Sequence, residues 1–401
     1  MDEPGLVADP GEVEAIAAEC AAAGAMALDL EFVAQDRYRP DLALVQVAWR
    51  RDDAVEIRLV DAVAVDAGPV IALAGGGIDV VLHAARQDLQ IVATRFGVRV
   101  RRLFDTQVAA AFAGLGDQIG YARLVEAMLG ARLGKEQQWT DWLRRPLAPA
   151  QLRYAADDVR YLPVIADALA GRLDASGRRP WVDAECDVLA QIAHDAAQIE
   201  PDSAWREVSG ARALDAAGRA ASRRLAAWRQ REALALNQPP SWLLADRGLL
   251  ELAKSRPRDE RAIAKVRGLG EHARKNAAAL AAALVAASAD VEAGDVPPAA
   301  TAWAPPGPRA QLWEEVILAV VQAASEETGI AARWLATRGD AEDLARALDA
   351  RRDGAFEEIE HPILRTWRRE VIGDRILAWL RGEAALVGDA TTASGVKMVP
   401  R

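Results

Sequence analysis

Three apolar segments follow one another near the start of the chain, and their close spacing constrains the fold more than any other feature. Residues 25–32, 41–49 and 54–61 are rich in Val, Ile, Leu and Ala and are separated only by short polar breaks. Parallel neighbours in a sheet need a crossover connection of about a dozen residues or more, and these breaks are too short for one. The pattern therefore predicts an antiparallel meander, with a further strand at residues 78–84.

Helical patterns accompany these strands and then replace them. A mixed α/β domain is predicted over residues 1–200, followed by two all-α bundles over residues 205–290 and 309–385, whose similar lengths indicate degenerate copies of one module. A Pro/Gly/Ala-rich stretch at 291–308 predicts a linker, and residues 386–401 are expected to form a loose tail. The helices of the first domain are predicted at residues 13–23, 87–96, 105–113, 121–129 and 151–170.

Two carboxylates interrupt the first apolar strand. Asp29 and Glu31 are two residues apart, so their side chains point to the same face of the strand. Paired carboxylates on a largely buried strand repel each other and are costly to desolvate, and bound divalent cations remove that cost. A salt-bridged strand end is the alternative interpretation.

Three further side chains extend this set. Asp88 lies where a strand leads into a helix, and Tyr154 and Asp158 lie four residues apart on one face of a predicted helix. Taken alone, Asp88 is explained as an acidic residue that offsets the helix dipole in the first turn. Tyr154 and Asp158 are each explained as solvated side chains on the surface. Asp105 is interpreted as a structural N-cap. Four carboxylates and a phenol together suit two hard cations that promote phosphodiester hydrolysis.

The ordered set of motifs resembles the DEDD-type 3′→5′ exonucleases of the tyrosine subclass. The motifs are Asp-x-Glu at 29–31, His-x4-Asp at 83–88 and Tyr-x3-Asp at 154–158. The resemblance implies a ribonuclease H-like fold, two Mg²⁺ or Mn²⁺ ions, and release of 5′-mononucleotides from RNA 3′ ends. It also implies that Asp29, Glu31, Asp88 and Asp158 bind metal and that Tyr154 positions the attacking water.

The resemblance to bacterial ribonuclease D covers roughly residues 20–170. Residues 32–46, the turn at 105–107 and the run at 139–147 carry it beyond the acidic motifs. Leu30 departs from the pattern, because that family often has threonine between the first two carboxylates. The family implies RNA with a free 3′ end, and tRNA precursors in particular, as the substrate.

Charge is distributed unevenly along a chain whose net charge is −10. Residues 201–290 carry 16 basic and 10 acidic side chains, whereas both flanking parts are acidic. Sequence within this basic segment resembles the HRDC domain, so phosphate contacts are expected there. The turn at Gly268 and Gly270 opens into a helix, and free backbone N–H groups at the start of that helix could bind a phosphate. The alternative is a helix break with a solvated basic face. The candidate RNA-binding residues are Lys265, Arg267, Gly268, Gly270, Arg274 and Lys275, with Arg223, Arg224 and Arg229 expected to add charge nearby.

The sequence therefore predicts a metal-dependent exoribonuclease. A DNA-directed exonuclease of the same superfamily and a non-catalytic nucleic-acid-binding scaffold are the alternatives. Cys20 and Cys186 are widely separated, as expected in a reducing cytoplasm, and no apolar stretch reaches the ~18 residues of a membrane span. The N-terminus has no positive leader, and a monomer is expected. The acidic second bundle is expected to pack against the first domain.

Overall fold

The computed structural model describes residues 5–134, 140–198, 200–299, 305–351 and 354–401, so Trp139 of the predicted motif lies outside the described residues. A mixed sheet forms the centre of the first domain. Its strands are β1 (Leu6–Val7), β2 (Ala25–Val33), β3 (Asp41–Arg51), β4 (Ala54–Val60), β5 (Asp79–Leu82) and β6 (Leu103–Asp105). They are arranged in the order β1-β4-β3-β2-β5-β6.

The predicted meander is confirmed. Strand β3 pairs antiparallel with both β2 and β4, and β5 pairs parallel with β2. Strand β3 is buried from Leu42 to Trp49, as expected for the centre of the sheet. Strands β1 and β6 were not predicted, because two or three residues are too few to show a period of two. They pair parallel with β4 and β5, at the two edges of the sheet.

In the part of the first domain that the structure describes, eight α-helices lie around this sheet. The predicted helix at 151–170 is wrong in one respect, because the chain breaks at Tyr161 into two helices. Pro163 lies in the first turn of the second one, and within a continuous helix its ring would clash with the carbonyl four residues earlier. The helices are α1 (Pro10–Ala23), α2 (Gly68–Ala72), α3 (Arg86–Phe96), α4 (Thr106–Phe112), α5 (Tyr121–Leu129), α6 (Pro149–Arg160), α7 (Leu162–Ala175) and α8 (Arg179–Ala197).

The first helical module has a core of its own. Trp205, Leu225, Leu249 and Leu280 are among its buried side chains, and this core is separate from that of the first domain. Its helices are α9 (Ala216–Leu236), α10 (Pro240–Leu243), α11 (Asp246–Ser255), α12 (Glu260–Ala264), α13 (Glu271–Lys275) and α14 (Ala277–Glu292).

The second helical module shares one continuous core with the first domain. This packing was expected, because the negative charge of the module disfavours contact with RNA. Trp367 stacks on Trp181 of α8 with ring centroids 5.2 Å apart, and its indole N–H donates to Glu185 at 2.8 Å. Phe112 at the end of α4 contacts both Trp334 and Trp367. The helices of this module are α15 (Pro308–Thr328), α16 (Ala332–Leu335), α17 (Arg338–Ala350), α18 (Pro362–Arg365) and α19 (Asp374–Leu380).

The expectation of a loose tail at residues 386–401 is wrong. The expectation that the chain after residue 205 contains only helices is also wrong. Strands β7 (Ala384–Gly388) and β8 (Val396–Pro400) form an antiparallel hairpin. Leu386 and Met398 pack against the core, and Glu326 of α15 accepts the backbone N–H groups of Ala393 and Ser394 in the connecting turn. These contacts are distant in sequence, which is why the weak local pattern did not reveal the hairpin. Among the described helices, none is both long and apolar enough to cross a lipid bilayer.

Candidate metal centre

Strand β2 places Asp29 and Glu31 on one face, as its period of two dictates. The pairing of β2 with β3 shifts register between Glu31 and Phe32, so a bulge lies directly beside the second carboxylate. Bulges are frequent next to active sites, because they redirect a side chain. Gln46 lies opposite Asp29 on β3, and its amide donates to the Asp29 carboxylate at 3.3 Å. The carboxylate pair is therefore held by the sheet on both sides.

Asp88 lies in the first turn of α3 and is almost fully buried. The turn that leads into this helix is held by Asp105, whose carboxylate accepts the N–H groups of Ala84 and Ala85 at 3.1 and 2.9 Å. Ala84 has a φ of 55°, a backbone conformation that is uncommon for residues other than glycine. Asp105 also caps α4, which confirms its structural interpretation.

Tyr154 and Asp158 lie on the same face of α6. The phenol of Tyr154 and the Asp158 carboxylate interact, which raises the pKa of Tyr154 and opposes the rise in the pKa of Asp158 that burial causes. Asp157, the adjacent carboxylate, pairs instead with Arg160 at 2.7 Å, one helical turn towards the end of α6. The helix therefore assigns the two neighbouring aspartates to different environments, as their angular separation predicts.

The structure brings the predicted acidic residues together from three separate elements, β2, α3 and α6. Carboxylate oxygens of Asp29, Glu31 and Asp158 all lie within 4.8 Å of one another. Asp88 is close enough for its charge to raise the pKa values of both Asp29 and Glu31. Tyr154 borders this group, and its pKa is raised by burial and by the charges of Asp158, Glu31 and Asp29.

The cluster is electrostatically unfavourable without cations. Burial, followed by repulsion from the other three carboxylates, raises the pKa of Asp29 well above its usual range. Burial and the charges of Asp158 and Asp88 raise the pKa of Glu31 to about 8. Burial is also the main cause that raises the pKa values of Asp88 and Asp158 to about 7 each. Acidic oxygens at this spacing fit hard divalent cations, whose charge reverses this penalty.

Sequence reasoning missed Tyr121, which lines a cavity of about 250 Å³ together with Tyr154 and Asp158. Its pKa is raised by burial and by the charges of Asp158 and Asp29, which places its hydroxyl near the carboxylate cluster. The ring of His83 lies 5.5 Å from the Tyr121 ring. No local signal marks Tyr121, because it begins a separate helix that approaches α6 only in the folded chain.

The candidate RNA-binding residues lie on the surface of the first helical module. Gly268 has a φ of 83°, in the left-handed region that favours glycine, and Gly270 is the N-cap of α13. This helix has only five residues, and Glu271 in its first turn pairs with Lys275 at 2.7 Å. The N-terminus of α13 is therefore poorly suited to bind a phosphate. Lys265, Arg267 and Arg274 are exposed.

The expectation that Arg223, Arg224 and Arg229 add charge near this surface is wrong. Arg223 and Arg224 both bind the carboxylate of Asp290, at 2.9 and 2.6 Å. Arg229 is buried, and its guanidinium donates to the Asp246 carboxylate and to the carbonyl of Leu244. These arginines stabilise the module from within, and the free positive charge comes from other residues.

Two family models match the chain. Residues 5–174 match the family described as 3′-5′ exonuclease, and residues 219–284 match the HRDC domain. The mixed sheet, the carboxylate cluster and these matches define a 3′→5′ exonuclease domain followed by a helical region that contains an HRDC domain.

Relatives of the same length narrow this class to one family. The chain is 36% identical to ribonuclease D of Gluconacetobacter diazotrophicus over 384 residues, which cover 94% of this chain and 91% of the relative. It is 36% identical to ribonuclease D of Acidiphilium cryptum over 392 residues, or 96% and 95% of the two chains. The chain belongs to the ribonuclease D family, as its motifs predicted.

A solved structure agrees with this assignment. Escherichia coli RNase D, described as an exoribonuclease involved in structured RNA processing, superposes with a TM-score of 0.79 at 26% identity. The match covers 95% of this chain and 99% of the other, so it includes the helical modules as well as the exonuclease domain.

Proposed function

We propose that the carboxylate cluster binds two divalent cations, Mg²⁺ or Mn²⁺, and hydrolyses RNA from its 3′ end to release 5′-mononucleotides. The ligands are Asp29, Glu31, Asp88 and Asp158. The observation that carries the proposal is the convergence of carboxylate oxygens of Asp29, Glu31 and Asp158 within 4.8 Å, in surroundings that raise the pKa of all four carboxyl groups. Cations bound there supply the charge that activates water and stabilises the leaving 3′ oxygen.

Tyr154 orients the attacking water in this proposal. Its raised pKa keeps the phenol protonated, so the hydroxyl acts as a hydrogen-bonding group and not as a base. The interaction of this hydroxyl with Asp158 orients it in this proposal. Gln46 holds one oxygen of Asp29 and thereby orients that carboxylate.

The substrate class in this proposal is RNA with a free 3′ end, with tRNA precursors and small stable RNAs as natural targets. Ribonuclease D relatives over nearly the whole length support this class, together with the basic HRDC module. Lys265, Arg267, Gly268, Gly270, Arg274 and Lys275 are the proposed contacts of that module with RNA. We further propose that the protein is a cytoplasmic monomer, in keeping with its free cysteines.

The proposed domains are an exonuclease domain at 1–200, an HRDC domain at 205–290, a linker at 291–308 and a divergent second copy from 309. The separate core of the first helical module supports its division from the rest of the chain, whereas the second module shares its core with the exonuclease domain.

Digestion of a 3′-extended tRNA, with product analysis, tests the proposal. We expect single nucleotides with a 5′-phosphate, no reaction with a chelator, and a loss of about 100-fold or more in Asp29→Asn and Asp158→Asn. Asp157→Asn is the matched control, because this neighbouring carboxylate faces Arg160, and it should remain close to wild type. Faster hydrolysis of a matched DNA strand would favour the DNA-directed alternative, and activity in both site variants would contradict the assignment.

A further inference from the structure

The two helical modules begin with the same arrangement of helices. Each starts with a helix of 21 residues, α9 or α15, that ends in a residue of left-handed conformation. A four-residue helix follows in each, α10 or α16, and then a longer helix, α11 or α17. The third residue of the short helix is a tryptophan in both modules, Trp242 and Trp334, followed by a buried leucine.

These equivalent tryptophans have different surroundings. Trp334 packs against Phe112 of the exonuclease domain, with ring centroids 5.6 Å apart, and its indole N–H donates to Asp117 at 3.2 Å. Trp242 is 56% exposed, and its indole contacts no aromatic ring or hydrogen-bond partner within the described ranges. The second module therefore uses this position as an intramolecular contact, whereas the first module presents the same indole to solvent.

The charge around Trp242 indicates what it contacts. The short helix α10 lies against α13, which carries Arg274 and follows the segment with Lys265 and Arg267. The charged side-chain groups of these three residues have no hydrogen bond or ion pair with any residue that the structure describes. An exposed aromatic ring beside unpaired cations matches single-stranded nucleic acid, in which bases stack on the ring and phosphates pair with the cations.

The first module is also joined to the exonuclease domain, through the loop that follows strand β2. Asn237, five residues before Trp242, accepts the backbone N–H of Arg39 at 2.7 Å. Gln230 of α9 contacts the hydroxyl of Tyr38. The loop that holds Tyr38 and Arg39 continues directly from strand β2, which carries Asp29 and Glu31. The module that carries Trp242 is therefore joined to the chain segment that directly follows two of the proposed metal ligands.

We infer that Trp242 is a stacking platform for a base of single-stranded RNA upstream of the 3′ end, with Lys265, Arg267 and Arg274 binding the adjoining phosphates. This inference rests on the proposed function, because it takes RNA as the substrate. It differs from a general basic surface in assigning one base to one indole ring.

Equilibrium binding of a 5′-labelled single-stranded RNA 12-mer, with chelator present to prevent hydrolysis, tests the inference. We expect Trp242→Ala to weaken binding about tenfold and Trp242→Phe to retain most of the affinity. The salt dependence should stay unchanged in both, whereas Arg267→Ala should reduce the salt slope by about one. Val285→Ala, which alters another exposed apolar residue of the same module, is the matched control and should bind as wild type.

Abasic substitutions along the same RNA locate the stacked base. The wild-type protein should lose affinity at one or two adjacent positions, and Trp242→Ala should be insensitive at those positions. Equal affinity of the wild type and Trp242→Ala overturns the inference. The inference is also overturned if Trp242→Ala weakens binding of a wholly abasic strand as much as it weakens binding of the normal RNA. Concentration-dependent self-association that Trp242→Ala abolishes, without any change in RNA affinity, also overturns it in favour of a protein contact.

Hydrolysis distinguishes this inference from the proposed function. A dinucleotide lacks the bases further upstream that this inference assigns to Trp242, so Trp242→Ala should cleave it at the wild-type rate. If RNA binding depends on Trp242 but the protein has no nuclease activity, the stacking inference is supported and the proposed function is rejected. If hydrolysis depends on Asp29 but Trp242→Ala binds RNA as tightly as the wild type, the proposed function is supported and the stacking inference is rejected.

Discussion

The hydroxyl of Tyr121 donates a hydrogen bond to the backbone carbonyl of Asp157, at 3.1 Å, in the last turn of α6. The same hydroxyl accepts the N–H of Tyr161 at 3.3 Å. In an unbroken helix this carbonyl and this N–H would pair with each other, since they are four residues apart. A side chain inserted between such partners bends a helix. Tyr121 thus sets the end of the helix that presents Tyr154 and Asp158.

Removal of this hydroxyl should affect catalysis more than substrate binding. We expect Tyr121→Phe to lower kcat about tenfold with little change in KM, because a shift of α6 displaces Asp158 and Tyr154 from the other carboxylates. Steady-state kinetics on an RNA oligonucleotide measure this split. Tyr161→Phe removes a nearby phenol that has no hydrogen-bond partner in the described part of the chain, so it serves as the control. A kcat equal to wild type in Tyr121→Phe would reject the positioning role.

Divalent cations should stabilise the wild-type fold but not a variant that lacks Asp29. Asp29→Asn removes one of several mutually repelling buried charges, so in chelator its Tm should equal or exceed that of the wild type. Addition of Mn²⁺ should raise the Tm of the wild type and of the control Asp157→Asn, because ligands that bind only the folded state stabilise it. Thermal unfolding with and without Mn²⁺ measures both effects. An equal rise in Asp29→Asn would show that the cations bind elsewhere.

The two helical modules should differ in their coupling to the exonuclease domain. Trp367→Ala should destabilise the exonuclease domain and the second module together by about 3–5 kcal/mol, because this ring packs on Trp181 and Phe112 in a shared core. Trp205→Ala should destabilise the first module alone, since that core is separate. Hydrogen exchange followed by mass spectrometry reports which segments lose protection. Loss of protection confined to the second module in Trp367→Ala would contradict a shared folding unit.

Acid should weaken the first helical module through Asp290. Its pKa is lowered to about 2 by hydrogen bonds from Arg224 and Arg223, whereas an unfolded aspartate titrates near ~3.9. A carboxylate with a lowered folded-state pKa stabilises the protein above its unfolded pKa, and the contribution is lost as pH falls towards 2.

The corresponding experiment compares Asp290→Asn with the wild type across pH. The variant should unfold at a lower temperature at pH 7, and the difference should shrink between pH 4 and pH 2. Glu251→Gln, which alters an exposed carboxylate on α11 of the same module, provides the control. A difference that is independent of pH over this range would mean that packing, and not the ionised carboxylate, stabilises the module.

The sequence by itself determined the order of elements and the identity of the acidic residues. Period-two and helical spacing place Asp29 with Glu31 and Tyr154 with Asp158 on shared faces, because side-chain direction within one element depends only on local backbone geometry. The meander followed from connections that are too short for a crossover.

Only the tertiary structure decided which elements meet. Contacts between residues far apart in sequence leave no local pattern, so neither the insertion of Tyr121 into the end of α6 nor the pairing of Arg223 with Asp290 could be derived from spacing. The terminal hairpin was missed for the same reason, since Glu326 holds its turn from a distant helix. The different environments of Trp242 and Trp334 show most directly what sequence alone does not predict. Equivalent positions in similar modules acquire their roles from the residues that pack beside them.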